Sequence, residues 1–374
     1  MIYLDYNATT PVDPRVADAM IPYLREIHGN PSSPHAAGRQ VKAAVVRARN
    51  QVAAMLGAAP GEIAFTASGS EANNHALKSV AHAFRDQPSR TIIISVVEHP
   101  AIHEPCRFLA EYGVKIVKVP VDGYGMVDPE EVRRALTPDT ILISIMHANN
   151  EVGTIQPIAE IAAVAREAGV LMHTDAAQSI GKIPVDVEAL GVDLLSAAGH
   201  KFYAPQGVGA LYIRDGVQLE PLIHGAGHEK GRRAGTEAVP AIVGLGAAAE
   251  IVSEHWRTNA HERIRNLRDR FHRNLTDVLG DRITLNGHPS HRLPNTLNVS
   301  FQGQIGLHLL ESVEDVCFSV GAACHSDADE PSAVLSAMGV PREVALGAVR
   351  FSLGRLTTEN DISEAIRRVL KALG

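Results

Sequence analysis

Short apolar runs recur along the first two-thirds of the chain, bounded by turn residues and mostly separated by stretches with helical spacing. They are IAFT from Ile63, TIIISVV from Thr91, KIVKV from Lys115, ILISIM from Ile141, VLMHT from Val170, VDLLS from Val192 and VGALYI from Val208. Runs of this length alternating with helices predict an α/β fold with a mainly parallel seven-stranded sheet between two helical layers. The last run follows Lys201 through a Pro and Gly turn, a hairpin-like return that predicts an antiparallel strand.

Helical spacing is clearest at Val41, Ala44, Val45, Ala48, Val52, Met55 and Leu56, with Gly57 as the stop, and again over residues 157–168, closed by Gly169. Upstream, Thr9, Thr10, Pro11 and Asp13 are able to cap a following helix. Beyond Gly244 the pattern shifts. Ile264, Leu267, Phe271, Leu275 and Val278 line one side of a long helix ended by Gly280, and the remainder mixes short strands and helices as a smaller α+β unit. The expected division is an N-terminal segment, 1–14, packing with the small domain, a large domain over 15–255, and a small domain over 256–374.

Length supports that division, since 374 residues exceed one ordinary core. A chain 45% hydrophobic and 21% charged reads as a soluble globular enzyme. The net charge of -7, without a long Lys/Arg tract, argues against nucleic acid. Three cysteines with no CxxC spacing indicate neither a disulfide framework nor a zinc site, and a reducing cytoplasm suits them best. No apolar stretch reads as a membrane span and the first residues do not read as an export signal.

Chemistry concentrates at strand ends. Lys201 follows the VDLLS strand and a glycine, where cofactor sites commonly form. HTDAAQS, residues 173–179, ends another strand and opens an expected helix, so Asp175 is either a helix cap or a charge aimed into the crevice. A lysine that forms a Schiff base and a carboxylate that keeps a pyridine nitrogen protonated are the two groups an aldehyde cofactor needs, and together they point to pyridoxal phosphate. FTASGSEANNHA, residues 65–76, runs from a strand through a small-residue loop into a helix, a ready anion site at Ser68, Gly69 and Ser70.

With these strings in view, the chain resembles the cysteine desulfurases and selenocysteine lyases of the class V aminotransferase group, which have the type I pyridoxal-phosphate fold. YLDYNATTP, GNPSSPHAAGR, FTASGSEANN, VEHPAI, MHANNEVGTIQP, HTDAAQS, GHKFYAPQGVGALYIR, GRRAGTEAVP, LPNTLNVSF, GAACHSD and VRFSLGR carry the likeness over nearly the whole chain, in family order.

The resemblance implies roles. Lys201 would hold the cofactor and act as the base at Cα; Asp175 would pair with the pyridinium nitrogen; His99 would stack on the ring and move protons. Asn150 and Gln178 would hydrogen-bond the cofactor or the substrate carboxylate side. Ser70, His200 and, from a partner subunit, Thr236 would hold the phosphate, which implies a homodimer with shared sites. Arg350 would bind the substrate carboxylate, whereas Arg355 reads as structural. Ala198 departs from the pattern, standing where many relatives have a phosphate-binding serine. Cys324, in a loop of Gly, Ala, His, Ser and Asp, would take sulfur from L-cysteine as a persulfide, releasing alanine and passing the sulfur to an acceptor protein. Cys106 and Cys317 read as small buried hydrophobes. Two alternatives share the cofactor machinery: a selenocysteine lyase acting on L-selenocysteine, and a class V aminotransferase in which Cys324 is incidental.

Overall fold

A computed structural model of the chain describes residues 1–258, 260–320 and 330–374. Its largest sheet has seven strands in the order Ile63–Thr66, Gly209–Ile213, Leu194–Ala198, Leu171–Asp175, Thr140–Ser144, Arg90–Ser95 and Val114–Val119. Every pairing is parallel except those of Gly209–Ile213, which runs antiparallel to both neighbours, as the hairpin-like return predicts.

The apolar runs are continuous because both faces of this sheet are covered. Ile93, Ile143, Leu195 and Tyr212 pack into one core, while their chain neighbours Ile92, Leu142, Leu194 and Leu211 pack into another on the opposite face. The first core takes in Val41, Val45, Val52 and Leu56 of the helix Ala36–Leu56, and Ile242 and Leu245 of Val239–Arg257. The second takes in Leu77 and Val80 of Gly69–Ala83, and Ile102 and Leu109 of Pro100–Glu111. Side chains of this size bury at about 1.5–3 kcal/mol each, so the sheet is the rigid platform of the molecule.

A third core joins Ile2 and Leu4 to Leu267, Phe271, Leu297, Val299 and Phe351. It rests on an antiparallel four-stranded sheet ordered Ser319–Val320, Ala348–Ser352, Thr296–Phe301 and Ile283–Asn286. Ile2–Tyr3 adds a parallel pair with Val316–Cys317. The N-terminal segment then crosses to the large sheet, where Thr10 N–H donates to the His200 carbonyl at 2.9 Å.

Helix ends follow the sequence signals. Asp13 caps Pro14–Arg25, and Gly57 and Gly169 take left-handed φ values of 68° at the ends of Ala36–Leu56 and Ile158–Ala168. Two details differ. The stretch after Asp175 folds as consecutive turns rather than a helix, because Gly181 has φ 79° and lies against Phe202, where a Cβ would come within 2.9 Å of the Phe202 Cβ. Val278 is exposed, since the buried stripe of Ala260–Leu279 runs through Leu267, Phe271, Leu275 and Leu279 in steps of four.

Candidate active site

The carboxyl ends of the parallel strands gather the chemical groups on one edge of the sheet, where open α/β sheets bind ligands. Leu171–Asp175 and Leu194–Ala198 are neighbours, and Asp175 pairs with Ser196 in register. Asp175 thus lies beside the turn Gly199–Lys201. Both sequence readings of Asp175 hold in part. Its Oδ1 accepts from Ala177 N–H at 2.9 Å, as a local cap does, while Oδ2 accepts from Asn73 Nδ2 at 2.7 Å in the buried interior.

The Lys201 amine donates to the carbonyls of Asn7 at 2.7 Å and Ala8 at 2.8 Å. Burial first, then the Arg350 charge, lowers its pKa to about 8 against the pull of Asp175 and Asp5. An amine so placed is uncharged in an appreciable fraction of molecules near neutral pH, which suits a nucleophile and a base.

His99 caps Pro100–Glu111, with Nδ1 accepting from Ala101 N–H at 3.0 Å, so in the neutral ring the proton sits on Nε2. His99 is exposed, yet desolvation is the first cause lowering its pKa, with Asp175 raising it and Lys201 lowering it. Beside it, Glu98 is fully enclosed. Its Oε1 accepts from Ser95 Oγ at 2.6 Å and Met146 N–H at 2.9 Å, and burial pushes its pKa up to about 8.

The helix Gly69–Ala83 starts at the same edge. Ser68 caps it, accepting from Glu71 N–H at 3.0 Å, and leaves the Ser70 side chain exposed over the first turn. The helix start abuts Ala198, since a Cβ on Gly69 would come within 2.9 Å of the Ala198 Cβ. His200 Nδ1 lies 3.1 Å from Thr9 Oγ1, and burial followed by the Lys201 and Lys182 charges lowers its pKa to about 4. Thr236 is exposed on another rim, lining a groove with Thr66, Ala67 and Arg233.

Arg350 comes from the four-stranded sheet. Its Nη2 meets Asp5 Oδ1 at 2.7 Å and its Nη1 donates to the Asn150 carbonyl at 2.9 Å; the buried Nε has no hydrogen-bond partner among the described residues. Arg355 makes a different contact, its guanidinium 3.6 Å from the centre of the Tyr203 ring and 3.4 Å from Asp13. Cys106 is buried and its thiol is pushed up to about 12, whereas Cys317 is half-buried. Cys324 lies outside the described residues.

Two residues not singled out in the sequence complete the arrangement. Asn7 is buried and every polar group it has is used: N–H to Ser352 Oγ, Nδ2 to Thr296 Oγ1 and the Asn150 carbonyl, Oδ1 from Lys182 and Asn295, and the carbonyl from Lys201 and Gln178. Lys182 is a buried lysine that donates to Asn7 Oδ1 at 3.0 Å and to Gln178 Oε1. The only signal for them in the sequence was their place inside YLDYNATTP and just after HTDAAQS.

The aminotransferase class-V family model matches residues 2–364. The chain is 49% identical over 380 residues to cysteine desulfurase IscS of Dictyoglomus turgidum, covering 100% of this chain and 95% of that protein. It is 43% identical over 373 residues to the human cysteine desulfurase, covering 99% of this chain and 81% of the human one. Among solved structures, a NifS-like protein superposes with a TM-score of 0.93 at 41% identity, covering 100% of this chain and 99% of that one. SspA in complex with cysteine superposes with a TM-score of 0.83 at 35% identity, covering 96% of this chain and 100% of that one.

Proposed function

The chain belongs to the aminotransferase class-V family and is a cysteine desulfurase, and from that premise we propose that it works with pyridoxal phosphate on L-cysteine, using the residues gathered at the sheet edge. The observation that carries this reading is a buried carboxylate, Asp175, one strand away from an amine, Lys201, whose pKa is lowered to about 8. The donor set suits the cofactor in two further respects. A fifteen-residue helix opens against Ala198 with Ser70 exposed on its first turn, an anion seat, and the Nε of Arg350 is a buried donor awaiting an acceptor.

When bound, pyridoxal phosphate supplies an electron sink that makes the Cα–H of cysteine acidic and its Cβ–S bond breakable. Lys201 would hold the cofactor and Asp175 would keep its ring nitrogen protonated. Ser70, His200 and the partner subunit's Thr236 would hold the phosphate, which makes the working unit a homodimer with shared sites. Asn150 and Gln178 orient the bound groups, and Arg350 receives the substrate carboxylate. The freed Lys201 amine would take the Cα proton, and His99, protonated at Nε2 in its neutral form, would pass protons. The Cys324 thiolate then forms an S–S bond to the substrate sulfur as the Cβ–S bond breaks. A proton is added at Cβ and the proton held by Lys201 returns to Cα, alanine leaves, and the persulfide sulfur goes on to an acceptor protein.

Cysteine is the substrate these names favour, and one structural neighbour is itself described in complex with cysteine. Alanine release from L-cysteine and from L-selenocysteine, measured side by side, tests the choice. Negligible turnover of cysteine overturns it, and full cysteine turnover by Cys324→Ser overturns the persulfide route. Among the described residues no helix is long and apolar enough to cross a membrane. Three cysteines without CxxC spacing suit a reducing compartment, and on that ground we propose the cytoplasm.

A further inference from the structure

A lysine buried this deeply calls for an explanation. Lys182 is 9% exposed, and the hydrogen-bond partners recorded for its amine are two neutral amide oxygens, Asn7 Oδ1 and Gln178 Oε1. The charges that act most on it, Lys201 and Arg350, are both positive. Burial first, then the Lys201 and Arg350 charges, holds its pKa well below the usual lysine value; an amine kept in so unfavourable a place points to a task other than ion pairing.

The task follows from what Lys182 holds. The Lys182 amine donates to the Gln178 oxygen, which turns the Gln178 amide nitrogen away from it. That nitrogen donates to the Asn7 carbonyl at 2.9 Å, the same carbonyl that receives the Lys201 amine at 2.7 Å. At the other end of the same residue, Lys182 grips Asn7 Oδ1 together with Asn295 Nδ2, each at 3.0 Å. Side chain and peptide unit of Asn7 are thereby fixed together.

We propose that Lys182 is a positioning residue for Lys201: by donating to Asn7 Oδ1 and Gln178 Oε1 it fixes the Asn7 peptide unit, so that the Asn7 carbonyl stays in place to receive the Lys201 amine whenever that amine is free of the cofactor. The proposal rests on the reading of Lys201 as the reactive amine, but its test does not use turnover.

The test is the pH profile of Lys201 labelling by dinitrofluorobenzene in the cofactor-free full chain, read by peptide mass spectrometry with the exposed Lys118 as internal reference. Other titratable or charged groups near the two amines are Arg350, Asp175, Asp5 and His200, and, around the adjoining cavity, Tyr6, Tyr203, His255, His261 and Arg355. All are left unchanged. In Lys182→Met the loosened carbonyl no longer favours the charged amine, so the Lys201 midpoint falls and labelling at neutral pH speeds up about three- to tenfold. A rising midpoint means that Lys182 acts only through its charge, and an unchanged one means that it does not act on Lys201; either overturns the proposal. Lys182→Gln, which keeps an N–H donor group on a shorter side chain, gives a smaller fall in the same direction and decides the matter if Lys182→Met does not fold.

Discussion

Asn73 Nδ2 donates to Asp175 Oδ2 across 2.7 Å, joining the helix that opens the anion seat to the strand that carries the buried carboxylate. With Oδ1 accepting from Ala177 N–H and Oδ2 from Asn73, both carboxylate oxygens are held in one orientation. Asp175→Asn keeps the shape and removes the charge. Its alanine-forming rate is expected to fall by about 100-fold or more, the usual scale for a lost electrostatic stabiliser. Asn73→Ala removes one hydrogen bond to a charged group, about 1.5–3 kcal/mol, and lowers the rate less. Steady-state kinetics of the two variants check the order, and an Asp175→Asn enzyme with half the parent rate contradicts the assignment.

The strands were legible because burial on both faces leaves an unmistakable run such as Ile92, Ile93 and Ile94, whose members point alternately into two cores. Lys201, Asp175 and His99 were legible because each stands at a strand end beside turn residues. The stretch after Asp175 was not. Ala176 to Ile183 reads as a helix in the sequence, yet it folds as turns in which Gly181 takes a left-handed φ of 79° close against Phe202, a long-range contact that no local pattern shows. Asn7 escaped notice for a related reason: its partners come from residues 150 to 352, distances along the chain that no local pattern encodes.

Ala198 leaves a specific opening for gain of function. It is buried against Gly69 at the start of a helix whose first N–H groups are unpaired within the helix. Ala198→Ser places a hydroxyl beside that anion seat. One added neutral hydrogen bond, about 0.5–1.5 kcal/mol, tightens pyridoxal phosphate binding about 2- to 10-fold. Equilibrium dialysis of the cofactor against both proteins measures this. Unchanged or weaker binding shows that the phosphate does not sit there.

Arg350 is spoken for on both terminal nitrogens, by Asp5 and by the Asn150 carbonyl, and free at Nε. Its planar fork can therefore share a substrate carboxylate while staying anchored. Arg350→Lys keeps the charge and loses the fork, so kcat/KM for L-cysteine drops about 10- to 150-fold, the equivalent of about 1.5–3 kcal/mol, with KM carrying much of the loss. A variant that loses only kcat would move Arg350 from substrate binding to the chemical step.

Stability should respond to pH through groups buried in their neutral forms. Burial lowers His147 and His173 to about 4, and His173 is held between Ser144 Oγ at 2.8 Å and Ser196 Oγ at 3.0 Å across three neighbouring strands. An unfolded histidine takes up its proton near pH 6.5, before the folded one does, so stability falls as pH drops from about 6.5 toward 4. Each histidine contributes a slope of up to about 1.4 kcal/mol per pH unit. Glu98 works in the opposite sense. Its folded pKa of about 8 lies above the unfolded value, so its contribution is lost as pH rises from about 4.5 through 8. Urea melts of the parent, His147→Gln and Glu98→Gln at several pH values separate the two. Relative to the parent, His147→Gln gains stability as the solution is acidified below about 6.5, and Glu98→Gln gains as pH is raised toward 8. Parallel curves for parent and variant would show that the replaced group titrates alike in the folded and unfolded chain.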